Sequence, residues 1–197
     1  YRDIEIKPLS QREYDFVFIG QIPKTGTRDC FKRGIDKLLE ENPDKFKYKI
    51  EFTDGFGKGL DPKEYMELLA NSKLSLCPAG AYSMETFRFF ESTLMGAIPV
   101  VDRLPRFWYY EEASFFKGAW DVLDNTLSKS LNYLQTGDCR KMLQGLAMYN
   151  NDVLNVDGLA SRMRQIVDQR HANMESSSEY LKGLRNCLKN ELDSDQL

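Results

Sequence analysis

Short apolar runs alternate with amphipathic stretches through the first half of the chain. Four runs have the length and apolar content of strands: DFVFIG at residues 15–20, KYKIEFT at 47–53, LSLCP at 74–78 and AIPVV at 97–101. Strands separated by helices pair in parallel through crossover connections. The alternation therefore predicts an α/β fold built on a Rossmann-like, doubly wound parallel sheet.

The first two helices between these strands have clear signals. In the first, Phe31, Ile35 and Leu38 recur at helical spacing. The second is predicted at residues 62–71, because Asp61 is a favourable N-cap and the proline that follows suits the first helical position.

The third helix is predicted at residues 84–95. Phe87, Phe90 and Leu94 follow i, i+3, i+7 spacing, which predicts that they form the core face. An arginine and a glutamate then lie at the margin of this apolar face, and their presence needs an explanation.

The second half of the chain is less regular. A fifth strand is predicted in GAWDVLD at residues 118–124, and the pattern is helical from Leu127 onward. Three segments are predicted: a lead-in at residues 1–14, a Rossmann-like domain at 15–170, and a helical tail at 171–197 that ends the C-terminal extension.

Composition restricts the ligands that such a domain can take. With 42% hydrophobic and 29% charged residues the chain is typical of a globular protein, and a net charge of -3 gives no broad basic surface for nucleic acid. The four cysteines form no CxxC pair, which argues against a zinc site or a disulfide framework. An anionic ligand must therefore be held by local groups.

The sequence contains no apolar run long enough for a membrane span. Its first residues also lack the apolar core of a signal peptide. These features predict a cytoplasmic protein, or one in the Golgi lumen if an N-terminal anchor precedes Tyr1.

Ligands of open parallel sheets bind beyond the carboxyl ends of the strands. Three loops lie there, at residues 20–28, 54–61 and 78–85. The first loop brings Lys24, Thr25 and Arg28 to the start of a helix, and we expect them on the phosphate side of a nucleotide site. This loop is not a P-loop, because G-x-x-x-x-G-K-[ST] is absent. Solvated turn charges are the alternative.

The third loop carries the most information. Gly80 and its small neighbours let a ligand approach the backbone, and Ser83 is placed to cap the helix that follows. The N–H groups around Glu85 and Thr86 would then lie at the positive end of the helix dipole, which suits an anion. An ordinary turn between a strand and a helix is the alternative.

Arg88 and Glu91 indicate what this site binds. A carboxylate at the edge of an apolar face is costly unless it is paired, and a salt bridge between these two residues would satisfy both. In the alternative, the helix N-terminus and Arg88 bind a diphosphate while Glu91 accepts two hydrogen bonds from the vicinal hydroxyls of a ribose. That combination fits a nucleoside-diphosphate sugar.

Residues 74–101 resemble the donor-binding signature of the exostosin-like glycosyltransferases. The matching positions form a P-x-G loop, a T-F-R-x-F-E helix start, a small residue and an I-P-V strand: Pro78, Gly80, Thr86, Phe87, Arg88, Glu91, Gly96, Ile98, Pro99 and Val100. The resemblance implies a GT-B enzyme of two Rossmann-like halves, of which this chain is the C-terminal, donor-binding half. It also implies that Glu91 holds the ribose and Arg88 the phosphates.

One position departs from the family pattern. Many relatives have arginine after the proline of the P-x-G loop, whereas this chain has Ala79. A positive charge that the resemblance implies is therefore missing, and Lys24 and Arg28 are the candidates to supply it.

The activity that the resemblance implies is that of an inverting, metal-independent hexosyl- or pentosyltransferase. It would move a sugar from a UDP- or GDP-type donor to a glycan, a glycoprotein or another hydroxyl acceptor, without a cofactor. The expected donor-binding residues are Arg88, Glu91, Ser83, Glu85, Thr86, Gly80, Lys24, Thr25 and Arg28. No residue is assigned as the catalytic base, which we expect from an N-terminal acceptor-binding half.

Two other functions stay open at this point. One is a non-catalytic module of the same fold that binds a nucleotide or a carbohydrate without turnover. The other is a Rossmann-like domain in which an ion pair between Arg88 and Glu91 serves the helix alone.

Overall fold

The computed structural model describes most of the first 155 residues. The described positions are 3–22, 28–55, 58–80, 86–105, 110, 113–136, 139–155, 157–158, 160–161, 164–165 and 168–169. The chain forms two compact units, Tyr1–Leu154 and Asn155–Leu197. The described residues of the second unit from position 157 onward are helical. The predicted tail at 171–197 lies outside the described residues.

The first unit is built on five parallel strands. They are β1 (Tyr14–Gln21), β2 (Tyr48–Thr53), β3 (Ser72–Leu76), β4 (Ile98–Val101) and β5 (Phe116–Lys117). Their order in the sheet is β2-β1-β3-β4-β5, and each neighbouring pair is parallel. The predicted Rossmann-like, doubly wound parallel sheet is confirmed.

Five helices with described bounds accompany these strands in the first unit, and Tyr110 is helical as well. They are α1 (Asp29–Glu41), α2 (Pro62–Ala70), α3 (Phe87–Leu94), α4 (Leu123–Gln135) and α5 (Cys139–Tyr149), with a π-helical turn at Asn150–Leu154 after α5. The predicted start of α2 is confirmed. The Asp61 side chain accepts a hydrogen bond from the Lys63 N–H at 2.9 Å, and Glu64 completes a capping box.

Helices cover both faces of the sheet, and the side chains of β1 show this because they point to the two faces in turn. Phe16 and Phe18 belong to the core on the side of α1 and α4, whereas Val17 and Ile19 pack with residues of α2 on the other side. Neighbouring side chains of a strand point to opposite faces, so an uninterrupted apolar run is what a sheet buried on two sides requires.

The start of α3 differs from the prediction. The helix begins at Phe87 and not at residue 84, because Thr86 has extended backbone angles of φ -140° and ψ 136° and occupies the N-cap. The N–H groups at the helix start are therefore those of Phe87 and Arg88. The anion site stays a prediction, and the helix start that would form it lies at Phe87 and Arg88 and not around Glu85 and Thr86.

The predicted core face of α3 was wrong at two of its three positions, since only Phe90 packs against the core. Phe87 is 74% exposed and Leu94 is 40% exposed, while the buried residues are Phe89, Ser92 and Thr93. The hydroxyls of Ser92 and Thr93 donate to the carbonyls of Arg88 and Phe89 one turn earlier. Hydroxyls that are hydrogen-bonded within their own helix can be buried. The core face of α3 therefore contains polar residues, and a search for apolar spacing does not find it.

The predicted fifth strand in GAWDVLD was also wrong. The fifth strand is Phe116–Lys117, and Trp120–Val122 forms a 3-10 turn that leads into α4. Trp120 is buried against Phe31 of α1, with ring centroids 4.9 Å apart. A Cβ at Gly34 would lie 2.1 Å from the Trp120 carbonyl oxygen, so this contact requires glycine.

The helix predicted from Leu127 begins four residues earlier. Its buried residues include Leu123, Leu127 and Leu131, which recur every four positions. Trp120 and Leu123 therefore begin the helical pattern of apolar residues. Over the seven residues GAWDVLD alone, the same residues look like an apolar strand.

Candidate functional site

The topology places a crevice between β1 and β3. The chain runs from β1 to β2 on one side of β1 and then returns to β3 on the other side. In doubly wound sheets, ligands bind at the carboxyl ends of the strands where the strand order reverses in this way. Arg28, which follows β1 in the chain, and Ala79, which follows β3, contact each other at this switch point.

Arg88 lies at this switch point, in the first turn of α3. Its Nε donates a hydrogen bond to the carbonyl of Ile19, near the end of β1, at 2.8 Å. Its Cζ lies 5.0 Å from the centroid of the Phe18 ring, which is a cation–π distance. Arg88 is partly buried and forms no ion pair with any residue that the structure describes.

Arg28 approaches the same point from the start of α1. Its side chain is buried, with Nε donating to the Ala79 carbonyl at 2.9 Å and Nη1 donating to the Gln21 carbonyl at 2.6 Å. Burial, and then repulsion by Arg88, lower the pKa of Arg28 to about 10, so the guanidinium stays charged at neutral pH. Arg28 thereby links the last residue of β1 to Ala79 in the segment after β3.

Arg28 contacts the backbone of Ala79, and this hydrogen bond does not depend on the alanine side chain. Ala79 is only 5% exposed, and its carbonyl accepts the hydrogen bond from Arg28. The guanidinium of Arg28 therefore contacts the P-x-G loop, and it comes from the start of α1 and not from the loop itself. The sequence named Lys24 and Arg28 as candidates for the missing charge, and the assignment of either to the donor site stays a prediction.

Glu91 is partly buried and lies near Arg88. Burial raises the pKa of the Glu91 carboxyl, and the charge of Arg88 opposes that effect. The two side chains do not form an ion pair within the described part of the chain. The simplest alternative from the sequence, an internal salt bridge, is therefore not what this helix contains.

Two neighbours of this pair were missed by sequence reasoning. Tyr65 of α2 is influenced by the charges of Arg88 and Glu91, although burial is the main reason that the pKa of its hydroxyl is raised. Burial likewise raises the pKa of the Cys77 thiol to about 11, against hydrogen bonds with Ser92 and Ser75. The thiol is therefore neutral at pH 7, and no spacing within α2 could have placed Tyr65 beside α3.

The remaining predicted site residues divide into two groups. Gly80 and Thr86 are described, and both belong to the segment between β3 and α3. The others lie outside the described residues: Lys24, Thr25, Ser83 and Glu85. Their assignment to the donor site stays a prediction.

The described residues hold no group of three or more His, Cys, Asp or Glu side chains arranged for a metal ion. Metal independence nevertheless remains a prediction from the resemblance. No helix in the described part of the chain combines the length and apolar content needed to cross a bilayer.

Glu91→Gln is expected to raise the melting temperature at pH 7. The pKa of Glu91 is raised in the folded state above the ordinary value of 4.5, so the fold binds this proton more tightly than the unfolded chain does. The carboxyl therefore contributes stability below about pH 4.5 that is lost as the pH rises through the folded pKa. Glutamine is neutral throughout, so the gain should disappear in acid.

Thermal unfolding of parent and variant across this range checks the prediction. Glu40→Gln, at an exposed position of α1, is the matched control and should not show the same pH-dependent difference. A lower melting temperature for Glu91→Gln at neutral pH would contradict the prediction, since the attraction of Arg88 would then outweigh burial.

Comparison with known proteins decides the family. A family model described as the RXYLT1 C-terminal domain matches residues 2–106, which is just over half of the 197 residues. The chain belongs to this family. The match confirms the resemblance to exostosin-like glycosyltransferases and includes the whole signature segment. No match is found among curated proteins.

Two solved structures are similar to this member of the RXYLT1 C-terminal domain family. An α1,3-fucosyltransferase has 18% sequence identity and a TM-score of 0.39, with 66% of this chain and 36% of that chain covered. A structure described as a UDP-N-acetylglucosamine 2-epimerase from Listeria monocytogenes has 11% identity and a TM-score of 0.44, with 78% and 48% covered. The chain therefore spans less than half the length of either protein.

Proposed function

We propose that this chain supplies the donor-binding site of an inverting, metal-independent glycosyltransferase. The donor is a nucleoside-diphosphate sugar of the UDP or GDP type, and the acceptor is a glycan or another hydroxyl compound. Membership of the RXYLT1 C-terminal domain family supports a sugar transferase, and the geometry at the switch point supports the diphosphate.

One observation carries the proposal. Arg28 and Arg88 lie close enough at the β1–β3 switch point for the charge of Arg88 to lower the pKa of Arg28. Both guanidiniums are held by backbone carbonyls, and neither forms an ion pair among the described residues. Two neighbouring cations in a partly buried crevice, without an ion pair among the described residues, favour a doubly charged anion, which a diphosphate provides.

Glu91 supports the nucleoside part of the donor. A partly buried carboxylate without an ion pair among the described residues gains from donors that can reach both of its oxygens. A ribose offers two adjacent hydroxyls, and Glu91 lies one helical turn from Arg88. The helix can therefore bind phosphate and ribose of one nucleotide together.

In the proposed reaction the acceptor hydroxyl oxygen forms a bond to the anomeric carbon from the side opposite the diphosphate. The bond from that carbon to the diphosphate oxygen breaks, and its electron pair leaves with the nucleotide. Arg28 and Arg88 stabilise the negative charge that develops on the leaving group. The hydroxyl proton passes to a general base, which none of the described residues is assigned to provide.

Arg88→Ala is expected to weaken UDP or GDP binding about ten- to a hundredfold, the effect of losing a charge-assisted hydrogen bond. Isothermal titration calorimetry with both nucleotides and their sugars measures the change. Arg33→Ala removes the same charge from an exposed position of α1 and should leave binding unaltered. The donor-site assignment is wrong if no nucleotide binds, or if Arg88→Ala binds as tightly as the parent.

The ribose contact has its own readout in the same titrations. The parent should bind UDP more tightly than 2′-deoxyuridine diphosphate, and Glu91→Ala should remove that preference. Release of nucleotide from the sugar donor in the presence of a hydroxyl acceptor then separates a transferase from a binding module without turnover.

A further inference from the structure

We propose that Gly20 positions Arg88 for the diphosphate, an inference that rests on the proposed donor site. A Cβ placed at Gly20 would lie 1.6 Å from Nη2 of Arg88 and 2.5 Å from its Cζ. Cβ atoms in proteins do not come within 3.0 Å of another heavy atom in this way. Every residue other than glycine at position 20 therefore displaces the guanidinium.

Three consecutive residues of β1 form a cradle for the guanidinium of Arg88. The Phe18 ring lies 5.0 Å from Cζ, the Ile19 carbonyl accepts the hydrogen bond from Nε at 2.8 Å, and Gly20 leaves room for Nη2. The end of β1 thus belongs to the donor site although it offers the ligand no side chain. An arginine held in place before binding loses less conformational freedom when the ligand arrives.

Gly20 does not lie in a turn, so a turn does not explain why glycine occupies this position. Gly20 lies within β1, where it is the parallel partner of Phe52 in β2. The three closest atoms to its Cβ position all belong to the end of the Arg88 side chain and not to backbone. A substitution is therefore expected to move Arg88, and it also carries a backbone cost of its own, because the φ of Gly20 is +159°, which residues with a Cβ rarely adopt.

A stability cycle tests the contact without any ligand. Gly20→Ala should lower the melting temperature of the parent through the clash and through the backbone strain at φ +159°, and should lower it less in an Arg88→Ala background, where only the strain remains. Gly55→Ala is the control, because its Cβ would meet nothing closer than Lys58 Cγ at 3.8 Å. An equal cost of Gly20→Ala in both backgrounds would overturn the inference. The double variant keeps this test available if Gly20→Ala alone does not fold.

A binding cycle tests the role in the site. Gly20→Ala should weaken UDP and GDP binding about as much as Arg88→Ala does, roughly ten- to a hundredfold. The double variant should bind no more weakly than Arg88→Ala alone. Uridine and guanosine lack phosphates, so their binding should be the same in all four proteins, which a general structural defect would not produce.

The two proposals fail in different ways. If Arg88→Ala leaves diphosphate binding unchanged, the donor-site assignment is wrong, and the positioning role falls with it. If Arg88→Ala weakens binding but Gly20→Ala does not, or if the two effects add, the donor site stands and Gly20 is not its positioning residue.

Discussion

Phe89→Ala is expected to lower the free energy of unfolding by about 3 to 5 kcal/mol, the range for deleting a large buried aromatic side chain. Phe89 is 0% exposed and is the centre of an aromatic cluster beneath α3. Its ring makes edge contacts with Tyr110 at 5.0 Å, Phe115 at 5.9 Å and Tyr149 at 6.4 Å between centroids. Alanine would leave a cavity among rings that cannot all move inward.

Phe87→Ala is the matched control, since it removes the same side chain from the same helix. Phe87 is 74% exposed, so its loss should change stability by no more than about 0.5 kcal/mol. Chemical denaturation of both variants measures the difference. A larger cost for Phe87→Ala than for Phe89→Ala would restore the core face predicted from spacing and contradict the observed one.

Arg12→Ala is expected to lower the free energy of unfolding by about 2 to 4 kcal/mol, because it removes charge-assisted hydrogen bonds from backbone carbonyls inside the fold. Arg12 is 6% exposed, and burial lowers its pKa to about 10, so it remains charged at neutral pH. Its Nε donates to the Lys7 carbonyl at 2.8 Å, and Nη1 donates to the carbonyls of Ser72 at 2.9 Å and Gly96 at 2.6 Å. One guanidinium therefore joins the N-terminal segment to the start of β3 and the turn before β4.

Arg12→Lys tests whether charge or shape matters here. A lysine keeps the charge but cannot present a planar fork to three carbonyls, so it should recover only a small part of the lost stability. Arg33→Ala, at an exposed position, should have little effect. Denaturant unfolding measures all three variants, and full stability in Arg12→Lys would show that position 12 requires charge alone.

Much of the fold could be predicted because its signals are local. The alternation of apolar runs and helical stretches predicted parallel strands, and Asp61 before Pro62 predicted the start of α2. The signature from the P-x-G loop to the I-P-V strand predicted the family, which the match over residues 2–106 confirms. Each of these signals depends on residues within a few positions of one another, or on a contiguous string.

The predictions that failed share a physical cause. In α3, hydroxyls bonded to their own helix allowed Ser92 and Thr93 into the core, and Phe87 was left exposed. Before α4, Trp120 packs against Phe31 of α1 and does not form part of a strand. Local periodicity records which residues are apolar, but the partner element decides which of them are buried.

By itself, the sequence determined the kind of sheet, the order of its elements and the string that identifies the family. The tertiary structure alone brought Arg28 to Ala79, Arg88 to Ile19 and Arg12 to Gly96, across 51, 69 and 84 positions of the chain. It also showed that the Ala79 carbonyl accepts a hydrogen bond from Arg28 and that Gly20 leaves room for the guanidinium of Arg88. Side chains from distant segments meet only when the strands are in register, so no local pattern carries that information.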